Sequence, residues 1–125
     1  MDNAMTVMQS VLAMAKARRT YQPNDEEQRC SERILELASK LDELGIPYKK
    51  RNLFGCIDQL KFEWGDGPDI VCHIESYGHE QGLFEVMGDE LMTAEERERD
   101  SVAGFIHMDD AVQRIKKAYE QSKRQ

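Results

Sequence analysis

Hydrophobic and polar positions along the chain predict helices at both of its ends. Apolar side chains recur at steps of three and four over residues 3–18, over residues 25–44 and over residues 109–122, which is the spacing of a helix face. Asn24 stands where a side chain can cap the start of the second helix, and three acidic residues follow it. Gly45 stands where the same helix should end, because glycine readily adopts the left-handed backbone conformation that closes many helices.

Between the second and the third helix, the pattern changes to short alternating segments separated by turn residues. We predict four to five strands, at about residues 47–53, 57–64, 70–77, 83–87 and, as the fifth, 102–106. Consecutive strands joined by short turns pair antiparallel, so the sheet should be a meander. This order predicts a single α+β domain over residues 1–125, with the helices on one face of the sheet. The other face is either solvated or meets another subunit.

The best-specified pair of strands is a hairpin on either side of Gly67. A turn centred there pairs each apolar residue of the first arm with one of the second: Trp64 with Ile70, Phe62 with Cys72 and Leu60 with Ile74. On the outward face, Lys61 would stand opposite His73. Because side chains alternate between the two faces of a sheet, a slip of one residue would set apolar positions against polar ones.

The helix predicted at residues 3–18 has more apolar surface than one small domain needs. Ten of the fourteen residues from Ala4 to Ala17 are apolar, so the helix must be covered on more than one side. One interpretation is a homodimer through this helix, with contact candidates Met5, Met8, Val11 and Leu12, because methionine adapts to many surfaces. The other interpretation is a helix packed deep in its own core.

Charge is distributed unevenly along the chain. The net charge is −7, yet the central residues 53–101 alone carry −10, and the two terminal segments are mildly basic. An acidic centre disfavours direct binding of DNA or RNA, whose affinity depends on neutralising phosphates. It suits a basic protein partner, although the same charge also keeps a small protein soluble.

Cysteine usage and hydropathy point to the cytoplasm. The three cysteines are an odd number without C-x-x-C spacing, which is typical of reduced thiols. The first residues lack the pattern of a signal peptide. The longest apolar-rich run, residues 4–17, is too short and too polar to span a bilayer, so we expect no membrane contact.

A zinc site is the first chemical candidate, because zinc takes sulfur and imidazole ligands and Cys72 is followed directly by His73. Cys56 and His79 would complete the set. The strand pattern argues against this site, since Cys72 and His73 would point to opposite faces of a regular strand and could not reach one ion. We therefore expect no metal and no other cofactor.

Catalytic motifs are equally weak. A hydrolase could use Ser76, His79 and Glu80, because a histidine beside an acid and a hydroxyl supports general base chemistry. The chain has no G-x-S-x-G motif, however, and Leu83 stands where the second histidine of H-E-x-x-H would be. No catalytic residue is predicted, and whether the protein is an enzyme is left open, with non-catalytic function favoured.

The outward face of the second hairpin arm is the best candidate surface site. It carries His73, Glu75 and Tyr77, and His79 follows in the next turn. Aromatic residues among charged ones are typical of partner surfaces. The sequence therefore favours a small cytoplasmic protein that acts by regulatory protein–protein interaction. The alternative is a small enzyme or ligand-binding protein whose site is formed by the same four residues.

Overall fold

Five antiparallel strands follow one another across the sheet in chain order, which confirms the predicted meander and the α+β class. The computed structural model describes residues 24–124. The strands are β1 (Lys49–Asn52), β2 (Ile57–Lys61), β3 (Asp69–Val71), β4 (Phe84–Met87) and β5 (Val102–Ile106). The helices are α1 (Asp25–Leu44), α2 (Ala94–Arg99) and α3 (Met108–Lys123), with 3₁₀ turns at His79–Gln81 and Asp89–Leu91. The helix predicted at residues 3–18 lies outside the described residues.

Helix α1 begins and ends as its sequence predicts. The Asn24 side chain accepts a hydrogen bond from the backbone N–H of Glu27 at 2.8 Å, and Gly45 closes the helix with φ 70°. The short helix α2 begins with a capping box between Thr93 and Glu96. Within residues 24–124, no helix is long and apolar enough to cross a membrane.

The core lies between one face of the sheet and the two long helices. The strand register places Leu60, Ile70 and Val86 side by side on this face, and all three are fully buried. Helices α1 and α3 cover them with buried apolar residues, among them Cys30, Ile34, Leu37, Leu41, Ala111 and Ile115. The alternation of apolar residues in the strands and their helical spacing in α1 and α3 therefore meet in one core.

The predicted hairpin register is wrong by four residues. Leu60 pairs with Ile70 rather than with Ile74, and Lys61 pairs with Asp69 rather than with His73. The turn is centred on Gly65, because Gly65 and Gly67 both adopt positive φ, at 62° and 74°. A shift of four residues keeps every side chain on its predicted face, so the alternating pattern alone could not detect the error.

The opposite face of the sheet is largely polar. Its central positions form two rows across the strands: Gln59, Val71 and Glu85, and then Lys61, Asp69 and Met87. Lys61 lies 3.9 Å from the carboxylate of Asp69 and also contacts the backbone oxygen of Gly67. Burial raises the pKa of Asp69, and the charge of Lys61 opposes that rise.

Candidate interaction surface at the loop end of the sheet

Exposed apolar side chains lie at one end of the sheet. The loops 53–56 and 72–83 both leave the sheet there, and β5 also ends there, because Ile106 pairs with the first residue of β4. Of the seven exposed large hydrophobic residues in the described part of the chain, four lie at this end: Leu53, Phe54, Tyr77 and Phe105. Together with His73 and Glu75, we call these residues the loop-end surface. Apolar side chains grouped in this way are typical of partner contacts.

The loop 53–56 is held by a buried carboxylate. Asp58 is 2% exposed and accepts hydrogen bonds from the backbone N–H groups of Leu53 and Phe54, at 2.9 and 2.8 Å. The side chain of Asn52 accepts a third bond, from the N–H of Gly55 at 2.8 Å. Because hydrogen bonds to a charged acceptor are strong, this loop presents its two apolar side chains in a fixed position.

His73 joins this loop to the next one. Its ring packs against the ring of Phe54 with a centroid distance of 4.6 Å. Its Nδ1 atom accepts the backbone N–H of Glu75 at 3.1 Å, which requires an unprotonated Nδ1. The Ser76 hydroxyl accepts the N–H of His73 and donates to its carbonyl oxygen, at 3.0 and 2.9 Å. These bonds close a tight turn, so β3 ends at Val71 and residues 72–77 are not the predicted strand.

Phe105 is the one residue other than glycine with positive φ in the described chain, at 57°. It lies in a bulge of β5, where the pairs Phe84–Ile106 and Val86–Ala103 leave one extra residue on the β5 side. Its N–H donates to the carbonyl oxygen of Tyr77 at 3.3 Å. A left-handed conformation costs a bulky residue roughly 1–3 kcal/mol, yet the Phe105 side chain is 57% exposed.

Two glycines allow the segments around Tyr77 and Phe105 to touch. A Cβ atom on Gly104 would stand 2.2 Å from the Cβ of Tyr77, and one on Gly78 would stand 3.0 Å from the Cα of Phe105. The first distance is too short for two carbon atoms, and the second would require a neighbour to move by a few tenths of an ångström. The two exposed rings therefore border the same open groove of about 340 Å³, whose other wall includes Arg99 at the end of α2.

The chain segment that contains His73, Glu75 and Tyr77 is mainly acidic. Residues 73–101 hold nine acidic side chains and two arginines. The negative charge of Glu96 is compensated by Arg114. The Arg114 guanidinium donates to both carboxylate oxygens, at 2.6 and 3.0 Å, and lowers the pKa of Glu96 to about 2. Glu85 lies beneath the loop and accepts the N–H of Tyr77 at 3.2 Å, while its burial raises its pKa. Glu75 is exposed beside the aromatic residues.

The four residues of the predicted surface site are not arranged as one strand face. His73, Glu75 and Tyr77 lie in one loop and belong to the loop-end surface. His79 turns instead toward helix α1, where its Nδ1 contacts the carboxylate of Glu26. Whether these side chains bind a ligand stays a prediction.

Two further predictions from the sequence concern metal binding and dimerisation. Among the described residues, no three His, Cys, Asp or Glu side chains form a group that could hold a metal ion. The proposed dimer contacts at Met5, Met8, Val11 and Leu12 lie outside the described residues.

The sequence did not indicate Leu53, Phe54 and Phe105 as parts of this surface, nor Asp58 as the buried residue that holds the loop of the first two. Asp58 stands on the same face of its strand as the apolar Leu60, which is the signal of a buried carboxylate with a structural task. Phe105 follows Gly104, but nothing in the sequence marks the bulge. No family model, curated protein or solved structure matches this chain. Its function must therefore be argued from its own geometry.

Proposed function

We propose that the protein acts by binding another protein, and that the loop-end surface contacts a segment that combines an apolar side chain with lysines or arginines. The conformation of Phe105 carries this proposal. The backbone strain at Phe105 costs free energy, and the exposed ring recovers little of it through burial. Full burial of a phenylalanine side chain is worth about 1.5–3 kcal/mol, so a partner that covers this ring would offset the strain.

The charge of the surroundings supports a basic partner. Glu75 is exposed in the same loop as Tyr77, and Asp100 and Arg99 line the groove together with Tyr77 and Phe105. Acidic surfaces accelerate encounters with basic partners and reject acidic ones, nucleic acids included. Binding should therefore weaken as the salt concentration rises.

The proposed cellular location, regulatory role and dimerisation rest on features other than the loop-end surface. Cys30, Cys56 and Cys72 are free thiols, which supports a cytoplasmic location. A regulatory role and a homodimer through residues 3–18 remain part of the proposal. They are supported by the acidic centre and by the apolar pattern of that segment.

Selection of peptides from a random display library tests the partner chemistry directly. We expect the selected peptides to carry an aromatic or aliphatic residue flanked by lysine or arginine. Phe105→Gly removes the ring while keeping a residue that accepts the left-handed conformation, so it should weaken peptide binding at least about tenfold.

Leu44→Ala is the matched control for this experiment. Leu44 is 44% exposed and is the last residue of α1, whereas the loop 72–83 contacts the first turn of this helix through His79 and Glu26. Truncation of Leu44 should therefore leave binding unchanged. Peptides that bind Phe105→Gly as tightly as the wild type would refute the role of the surface. A selection without basic residues, or binding insensitive to salt, would refute the proposed partner.

A further inference from the structure

All three cysteines line one narrow cleft between helix α1 and the end of the sheet. Cys30 comes from α1, Cys56 immediately precedes β2, and Cys72 immediately follows β3. Asp58 and His73 lie in the same cleft, which is too narrow to admit a water molecule. Residues far apart in the chain thus bring every thiol of the protein together.

The three thiols differ in exposure. Cys30 and Cys72 are both 0% exposed, and Cys56 is partly exposed. The predicted hairpin places Cys72 on its apolar face, and the burial of Cys72 agrees with that. A purely apolar role, however, does not require all three cysteines to line one cleft.

The two buried thiols influence each other's ionisation. The neighbouring Cys72 side chain lowers the pKa of Cys30, and the Cys30 side chain raises the pKa of Cys72. The Cys30 thiol itself donates to the carbonyl oxygen of His79 at 3.6 Å. A neighbouring thiol donor favours the thiolate, which is the form that attacks disulfides.

We propose that the three cysteines form a thiol–disulfide relay, in which Cys56 reacts with a small-molecule disulfide and passes the oxidation to a Cys30–Cys72 disulfide. Nothing in this relay depends on the proposed partner binding. Cys56 is the entry point because it is the thiol that solvent reaches. Burial raises the pKa of Cys56, so the first step is slow and accelerates as the pH rises.

The relay consists of three exchanges that balance. The Cys56 thiolate attacks one sulfur of the oxidant, and a small-molecule thiolate leaves and takes a proton from solvent. Cys30 then attacks the Cys56 sulfur, and the second small-molecule thiolate leaves and takes the proton of Cys30. Cys72 then attacks the Cys30 sulfur, and its proton passes to the displaced Cys56 sulfur, which returns as a thiol. In total, two protein thiols lose two electrons and two protons, and one disulfide oxidant becomes two thiols.

Oxidised glutathione, added to the folded full-length chain, tests the relay. Non-reducing mass spectrometry should show a loss of about 2 Da, the mass of two hydrogens, and peptide mapping should find Cys30 linked to Cys72. The same chain unfolded in urea should distribute its disulfide over all three pairings. An unchanged mass, a stable glutathione adduct on Cys56, or the same mixed pairings in the folded chain would each overturn the proposal.

Two variants separate the steps. Cys56→Ser keeps the buried pair and should form the same disulfide at least about tenfold more slowly, because the entry thiol is missing. An unchanged rate in this variant would refute the relay. Cys30→Ala should form no internal disulfide and should retain glutathione on Cys56, whereas an internal disulfide in this variant would contradict the central role of Cys30. The wild-type mapping decides the Cys30–Cys72 pairing even if a variant fails to fold.

Discussion

Gly104→Ala is the substitution whose consequence follows most directly from the structure. The new Cβ atom would stand 2.2 Å from the Cβ of Tyr77, whereas carbon atoms pack best at about 3.5–4.0 Å. The segments must therefore separate by more than about 1 Å. Because the Tyr77 Cβ is attached to backbone and cannot rotate away, we expect a loss of roughly 1–3 kcal/mol in the free energy of unfolding.

Urea unfolding measures this loss as a lower midpoint. A change of about 2 kcal/mol should lower the midpoint by roughly 1 M, with an unchanged slope. Tyr77→Gly removes the opposing Cβ, so it should relieve most of the clash when it is combined with Gly104→Ala. The double-mutant cycle should then give a coupling free energy of about 1 kcal/mol or more.

Gly45→Ala is the control for the Gly104 experiment. Gly45 has positive φ but open space around its position, so alanine there should cost about 1 kcal/mol through backbone strain alone. That cost should add to the effect of Tyr77→Gly without coupling. If Gly104→Ala costs less than about 0.5 kcal/mol, or if its effect is also additive with Tyr77→Gly, the close contact is not as described.

Three further predictions concern charged and titrating groups. Asp58→Asn replaces a charged acceptor of two N–H bonds and should lower the free energy of unfolding by roughly 1–3 kcal/mol in urea unfolding; an equal stability would contradict its role in the loop. Arg114 lowers the pKa of Glu96 from 4.5 to about 2, so this pair stabilises the fold above pH 4.5 and its contribution is lost as the pH falls toward 2. After discounting for solvent screening, Glu96→Gln should remove roughly 1–2 kcal/mol of that acid dependence, and an unchanged pH profile would refute the assignment. Burial and the hydrogen bond to Asp42 raise the pKa of Tyr48 to about 12, so its contribution to stability is complete below pH 10 and lost as the pH rises through 12. Ultraviolet titration should therefore show a late tyrosine step that disappears in Tyr48→Phe.

The elements of the fold could be predicted from the sequence because each has a strong local cause. Asn24 and Gly45 fix the ends of α1, and the apolar stripe between them fixes its buried face. The strands of the sheet follow from alternation and from turn residues. The register of the hairpin could not be predicted in the same way. Side chains alternate with a period of two, so the pattern is equally consistent with pairings of the two strands that differ by two or four residues. In the structure, the turn is centred on Gly65, which adopts a positive φ.

The candidate surface could be predicted only in part. The residue types of His73, Glu75 and Tyr77 predict a surface site, and these three residues do lie at the loop end of the sheet. The sequence could not predict Phe105 as part of the surface, because its exposure depends on a bulge, and a bulge depends on how two strands pair over their whole length. His79 was grouped with the others by its position in the chain, whereas a contact with helix α1 determines where it points.

The rigidity of the loop-end surface bears on how it could bind. Exposed loops usually lose conformational entropy when a partner orders them, and that loss reduces affinity. Here Asp58 fixes one loop through two backbone hydrogen bonds, Ser76 fixes the next, and Gly104 brings Tyr77 against Phe105. The apolar side chains are therefore held in place before any partner arrives. A surface built in this way suits a partner that supplies a short flexible segment, because the protein has already lost the conformational freedom that binding would otherwise remove.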